Sequence, residues 1–244
     1  LAWKIGVHGM RFHEWICPGR DRIASNWGRF RESRFGNVFP DGSLGKDVIP
    51  GKGRHGDALS VHSVYSVCED AMRYASAWVQ KNSVPVAIHL AESPEEIEMM
   101  MTGSGELLDL LKKVSPEKEF GFAECGRSPV QRAEDAGLLN SSTLAIHCNL
   151  PQGGDVERLA RSGAVVVFCP RSHAFFDYPK YPLYEYRLKK VRLALGTDSL
   201  ASNNSLSMID ELRAFDRLAV DMAPMDRLGI ATGAGLGDHP PWGC

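Results

Sequence analysis

The chain has 244 residues, 43% hydrophobic and 24% charged, an ordinary globular composition that suits one large α/β domain or two small ones. A formal net charge of −2 gives no electrostatic reason to bind nucleic acid or an anionic membrane. The apolar runs are strand-sized, far short of the ~20 residues of a membrane span, and no signal peptide is expected.

Six apolar runs read as strands: Lys4–Phe12, Ala58–Val61, Val84–Ile88, Thr143–Ile146, Ala164–Phe168 and Arg192–Leu195. Most are continuously apolar rather than alternating, the pattern of parallel strands covered by helices. After the first comes a stretch, 16–57, rich in Gly, Arg, Asn and Pro. It is too long for an ordinary βα loop and is expected to be an insertion, a lid or a degraded helix. Ser66 is placed as the cap of a helix carrying Met72, Ala75 and Val79. Ser93-Pro94-Glu95-Glu96 predicts a strong helix start, with an N-cap serine, proline at the first helical position and a capping-box glutamate. Gly103-Ser104-Gly105 interrupts that helix, and Glu106–Val114 resumes it. Ser128-Pro129-Val130-Gln131 repeats the capping signature, and Asp155–Arg161 is a short helix ended by Gly163. Leu206, Ile209, Leu212, Leu218 and Met222 predict one face of a final long helix. The tail, 229–244, is rich in glycine and proline and is expected to be irregular. Alternating strands and helices over 1–228 argue for a βα-repeat fold, barrel or doubly wound. The lack of a G-x-G-x-x-G or P-loop at a strand–helix junction weakens the nucleotide-binding, doubly wound option.

Three strand ends carry chemistry. His89 closes the third run with Glu92 three residues on, His147 closes the fourth, and Asp198 follows the sixth. Imidazole and carboxylate are normal ligands for Zn²⁺ or Fe²⁺, and a catalytic metal wants about three protein ligands with one position open to water. A glutamate beside such a water suits proton shuttling. His62 ends the second run and is a candidate substrate contact. Arg171 and His173 lie on the loop after the fifth run. His8 and His13, five apart on one expected strand, face opposite sides and cannot pair on a metal. His55 and His239 lie in irregular stretches and are assigned no role. The six cysteines form no C-x-x-C pair and read as reduced and cytoplasmic, with Cys148 and Cys169 as small buried hydrophobes.

His89-Leu90-Ala91-Glu92-Ser93, Ala145-Ile146-His147-Cys148-Asn149, Cys169-Pro170-Arg171-Ser172 and Leu195-Gly196-Thr197-Asp198-Ser199 together resemble the metal-dependent amidohydrolase superfamily. The nearest branch holds adenosine-, aminofutalosine-, S-adenosylhomocysteine- and guanine-type deaminases and the triazine hydrolases. The resemblance runs from about His62 to Arg213. It implies a (β/α)₈ barrel, here incomplete with about six βα units, and hydrolytic deamination of a purine- or nucleoside-like aromatic amine by a metal-activated water. It implies one divalent metal, zinc ahead of iron, on His89, Asp198 and His147. The catalytic set would be Glu92, His147 and Asp198, with His62 and Glu92 on the substrate. The family's His-x-His pair, which supplies two further ligands, has no counterpart in this sequence. Poor metal binding and little activity are therefore expected of the isolated chain. The alternative is a non-catalytic remnant acting as an assembly module. The expected partner is a small aromatic amine, with no nucleic acid and no membrane; self-association through open barrel edges is also expected.

Overall fold

The computed structural model describes residues 9–20, 23–35, 55–114 and 126–232. Six strands form one parallel sheet: β1 (Gly9–Trp15), β2 (His55–Ser63), β3 (Val86–Leu90), β4 (Thr143–His147), β5 (Val165–Phe168) and β6 (Arg192–Leu195). Their order in space is their order in sequence. A doubly wound sheet reverses strand order at a switch point, whereas a barrel never does. The sheet is therefore an incomplete barrel wall, with β1 and β6 at its two ends among the described residues.

Helices cross between the strands: α1 (Ile23–Phe35), α2 (Glu69–Asn82), α3 (Pro94–Thr102), α4 (Glu106–Val114), α5 (Pro129–Asp135), α6 (Asp155–Ser162), α7 (Pro170–Phe175) and α8 (Leu183–Leu188). Two more, α9 (Met208–Leu218) and α10 (Pro224–Thr232), follow β6. The core lies between sheet and helices, with Leu59, Val61, Ile88, Leu90, Val166 and Phe168 almost wholly buried. No described helix is long and apolar enough to cross a membrane. Cys17, Cys68, Cys148 and Cys169 are buried free thiols.

Where the start and stop signals are local, they hold. Ser93 Oγ accepts the amide hydrogen of Glu96, and Ser128 Oγ that of Gln131. Gly163 ends α6 in the left-handed region, φ 70°, where glycine carries no Cβ penalty.

Several expectations need correction. The first strand runs past Phe12 to Trp15, because β1 stays in register with β2 up to Trp15 opposite Val61; residues 1–8, including His8, lie outside the described residues. The stretch 16–57 contains a regular helix, α1, despite its weak periodicity. Trp27 docks it: its ring lies edge-on to Trp15 at 4.6 Å and to Trp78 of α2 at 5.2 Å. Ser66 does not cap α2. The cap is Cys68, and Ser66 Oγ is instead bonded to His62 Nδ1 at 2.5 Å.

The expected final helix is two helices, with Pro224 opening the second. Its apolar stripe is only partly buried: Met222 is buried and Leu212 packs against the core. Leu206, Ile209 and Leu218 are exposed, whereas Glu211, Ala214 and Phe215 are buried. Glu211 sets that face by accepting the Arg171 amide hydrogen at 3.0 Å and the Asn203 side-chain amide at 2.6 Å. The first residues of the expected irregular tail, 229–232, belong to α10. His239 lies outside the described residues.

Candidate active site

Parallel strands present their C-terminal ends on one rim, where barrel enzymes place their chemistry. His147 is the last residue of β4, and Asp198 lies three residues beyond β6. Glu92 stands two residues beyond β3, which itself carries His89. Ala91, His147 and Asp198 have positive φ values of 47°, 68° and 57°. For residues with a Cβ this costs roughly 1–2 kcal/mol each. Such strain is characteristic of residues fixed for function rather than for stability.

Glu92, His147 and Asp198 each offer a ligand atom within 4.8 Å of the others. His147 Nε2 lies 3.5 Å from a Glu92 carboxylate oxygen. Burial, helped by the neighbouring His89, pulls the His147 pKa down to about 4. Its imidazole is therefore neutral at pH 7, with a lone pair available. Burial raises the Asp198 carboxyl, but hydrogen bonds outweigh that and hold it below its ordinary value. Ser172 and Ser202 hydroxyls donate to Oδ2 at 2.6 and 2.8 Å, and the Ser199 amide donates to Oδ1 at 2.7 Å. Glu92 moves the other way. Burial, reinforced by Asp198, raises its pKa although His89 opposes the shift. Two carboxyls on one rim, one held ionised and one biased toward its acid form, are an acid–base pair separated by environment.

The Glu92 peptide is gripped at both ends. Its amide donates to Glu96 Oε2 at 2.7 Å, and its carbonyl accepts from Asn149 Nδ2 at 3.0 Å. Glu96 and Asn149 are both buried. Burial raises the Glu96 pKa to about 8, against the amide hydrogens that favour its ionised form. Neither residue was singled out as functional from sequence, although Glu96 was recognised as a capping residue. A buried acid facing a loop amide is not visible without the fold.

His89 Nδ1 donates to the His62 carbonyl at 2.7 Å. The His89 ring lies 5.5 Å from the His147 ring and 5.5 Å from the His62 ring. The three expected metal ligands thus do not form one tight group. His147 and Asp198 cluster with Glu92, whereas His89 clusters with His62 and Glu14, again within 4.8 Å. Burial, with a smaller contribution from His89, lowers the His62 pKa against the opposing influence of Glu14. Glu14 was missed because the first strand was expected to stop at Phe12.

The two remaining candidates, expected on a loop, lie in α7 and have structural partners. Arg171 binds Ser205 Oγ at 2.9 Å and the Asn204 side chain. His173 is edge-on to Phe168 and Tyr181. His13 is paired with Asp57 at 2.9 Å. Beside Glu92 opens a cavity of about 640 Å³ bordered by Tyr65, Ser93, Glu96 and Leu107, a size that suits a small organic ligand.

The donor set suits a divalent cation. It provides a neutral imidazole, an ionised carboxylate and a second carboxyl in mutual reach, the hard and borderline donors such ions take.

The profile of the amidohydrolase family matches residues 43–235. The 5-methylthioadenosine/S-adenosylhomocysteine deaminase of Teredinibacter turnerae is 36% identical over 169 residues, which is 68% of this chain and 34% of that protein. Among solved structures, an adenosine deaminase from Xanthomonas campestris with bound zinc superposes with a TM-score of 0.69 at 21% identity, covering 96% of this chain and 48% of that one. Helicobacter pylori aminofutalosine deaminase in complex with methylthio-coformycin gives 0.70 at 21% identity, covering 91% and 50%. These superpositions establish the fold, and the chain spans about half of each structure.

Proposed function

From the premise that this chain belongs to the amidohydrolase family, we propose that its strand-end rim is the centre of a metal-dependent deaminase. It would replace the exocyclic amine of a purine- or nucleoside-like substrate with the oxygen of water and release ammonia. The observation that carries this reading is the acid-biased Glu92 carboxyl 3.5 Å from neutral His147 Nε2, with ionised Asp198 in the same cluster.

A divalent metal, when bound, supplies the positive charge that lets water ionise near neutral pH. His147 and Asp198, with His89 beside them, are the residues proposed to hold it. Zinc is proposed ahead of iron, supported by the zinc in the Xanthomonas neighbour. Asp198 accepts the proton that water gives up. Its three hydrogen bonds keep it ionised for that task. Glu92 delivers a proton to a ring nitrogen, so the carbon bearing the amine becomes electrophilic. His147, neutral and buried, keeps its place beside the attacking oxygen. Asp198 passes its proton to the departing amine, the remaining hydroxyl proton of the added water restores the Glu92 acid, and ammonia leaves with no net change at the protein. His62 borders the ring from the next strand, and the cavity beside Glu92 receives the rest of the substrate. The relatives' names favour 5′-methylthioadenosine, S-adenosylhomocysteine and aminofutalosine-type nucleosides as the substrate class.

The sequence contains no His-x-His pair, which favours a second reading, a non-catalytic assembly module. Ammonia release from 5′-methylthioadenosine or S-adenosylhomocysteine with Zn²⁺ present separates the two. Release that falls about 100-fold or more in Glu92→Gln supports the deaminase. No release from the folded chain supports the module.

A further inference from the structure

We propose that Phe175, Phe176 and Tyr178, at the end of α7, are the platform on which an aromatic group on the substrate's 5′ tail stacks, so that the chain prefers nucleosides with an aromatic tail to those with a small aliphatic one. The inference rests on the deaminase reading and names the substrate class of the same rim.

The helix α7 is tied to that rim. It opens two residues after β5, and its Ser172 hydroxyl donates to Asp198 Oδ2 at 2.6 Å. Phe176 follows one turn on. Its amide donates to the Ser172 carbonyl at 3.1 Å, a step of about 6 Å along the helix axis. The chain then turns back. Asp177 adopts φ 52°, the left-handed region, uncommon for a residue other than glycine. The Tyr178 amide donates to the His173 carbonyl at 3.3 Å. This turn lays Tyr178 against Phe176, with ring centroids 5.3 Å apart and planes inclined by 23°. Phe175 meets Phe176 edge-on at 5.1 Å.

The platform is built outward from the core. Phe168 and Tyr181 are buried and stack at 3.6 Å. His173 stands edge-on to both of them and to Tyr178, so Tyr178 is supported from below. Phe176 and Phe175 continue the series into solvent, 46% and 63% exposed. Adjoining apolar side chains left exposed beside a site mark a binding surface, and supported rings offer a further ring an offset-stacked or edge-on contact. Tyr178 also lies within electrostatic reach of the cavity beside Glu92. Burial pushes its hydroxyl up, and the charges of Glu92, Glu95 and Glu96 add to that; all three acids border the cavity. In the proposed reaction Glu92 and His62 engage the base. The tail is the part of the substrate left to reach α7.

The test is calorimetric titration of the full, Zn²⁺-supplemented chain with methylthio-coformycin and with its phenylthio counterpart, which differ only in the tail. Circular dichroism confirms that each variant is folded, and Phe176 is exposed, so its variants do not endanger the fold. The phenylthio compound should bind about tenfold or more tightly than the methylthio one, a ratio that falls to within about threefold in Phe176→Ala and is kept in Phe176→Tyr. Equal binding of the two compounds by the wild type, or a ratio unchanged in both Phe175→Ala and Phe176→Ala, would overturn the proposal and leave the deaminase reading standing. No binding of either compound would overturn both.

Discussion

At the scale of single residues, the rim separates one acid from another by environment. Glu96 is the sharpest case, with a carboxyl raised to about 8 by burial against 4.3–4.5 for an unfolded glutamate. The folded state thus binds a proton that the unfolded chain releases. Stability is greatest below about pH 4.5 as far as this group is concerned, and it declines as pH rises toward 8. The loss is on the order of a few kcal/mol. Thermal melts from pH 5 to pH 8 should show that decline, and Glu96→Gln, which cannot ionise, should flatten it. A slope unchanged in the variant would remove Glu96 as its source. Cutting the other grip on the Glu92 peptide, with Asn149→Ala, should lower kcat for ammonia release more than it raises KM, because the Asn149 side-chain amide holds the Glu92 carbonyl. The proposed site residues His89, Glu92, His147 and Asp198 stood out in the sequence because each lies within a few residues of the end of an apolar run. Glu14 did not, since its meaning depends on where β1 stops, and pairing with β2 decides that rather than β1's own composition.

At the scale of elements, what the sequence revealed was whatever is settled within one turn of chain. The Ser93 and Ser128 caps, the Gly103–Gly105 break and the Gly163 stop all depend on neighbours three or four residues away, and all are found in place. Ser93→Ala should therefore cost about 1 kcal/mol of stability, measurable by urea unfolding. Elements set by distant partners escaped. Ser66 looks like a cap but is bonded to His62. The α9 face follows buried Glu211 rather than the apolar stripe. The helix α1 has little periodicity and is held by Trp27, wholly buried between Trp15 and Trp78. Trp27→Ala should destabilise the chain by about 3–5 kcal/mol, and a variant as stable as the wild type would show that α1 does not depend on that contact.

At the scale of the whole molecule, the barrel reading rested on continuous apolar runs and alternation with helices. The sheet order β1 to β6 without reversal bears it out. Ile209, Leu218, Val220 and Met225 are exposed on α9, α10 and the turn between them. Exposed apolar side chains of this number favour self-association. Sedimentation velocity across a concentration series should show it, weakened by Ile209→Lys; a concentration-independent monomer would not fit.

Binding of methylthio-coformycin, the ligand of the Helicobacter pylori neighbour, tests the Glu92–His147–Asp198 centre without requiring turnover. Titrated into the Zn²⁺-supplemented chain, it should bind with a defined stoichiometry of one, and Glu92→Gln should weaken it at least tenfold while leaving the fold intact. No binding to the folded, metal-supplemented chain, or equal binding to Glu92→Gln, would contradict the assignment of this rim as a ring-deaminating site.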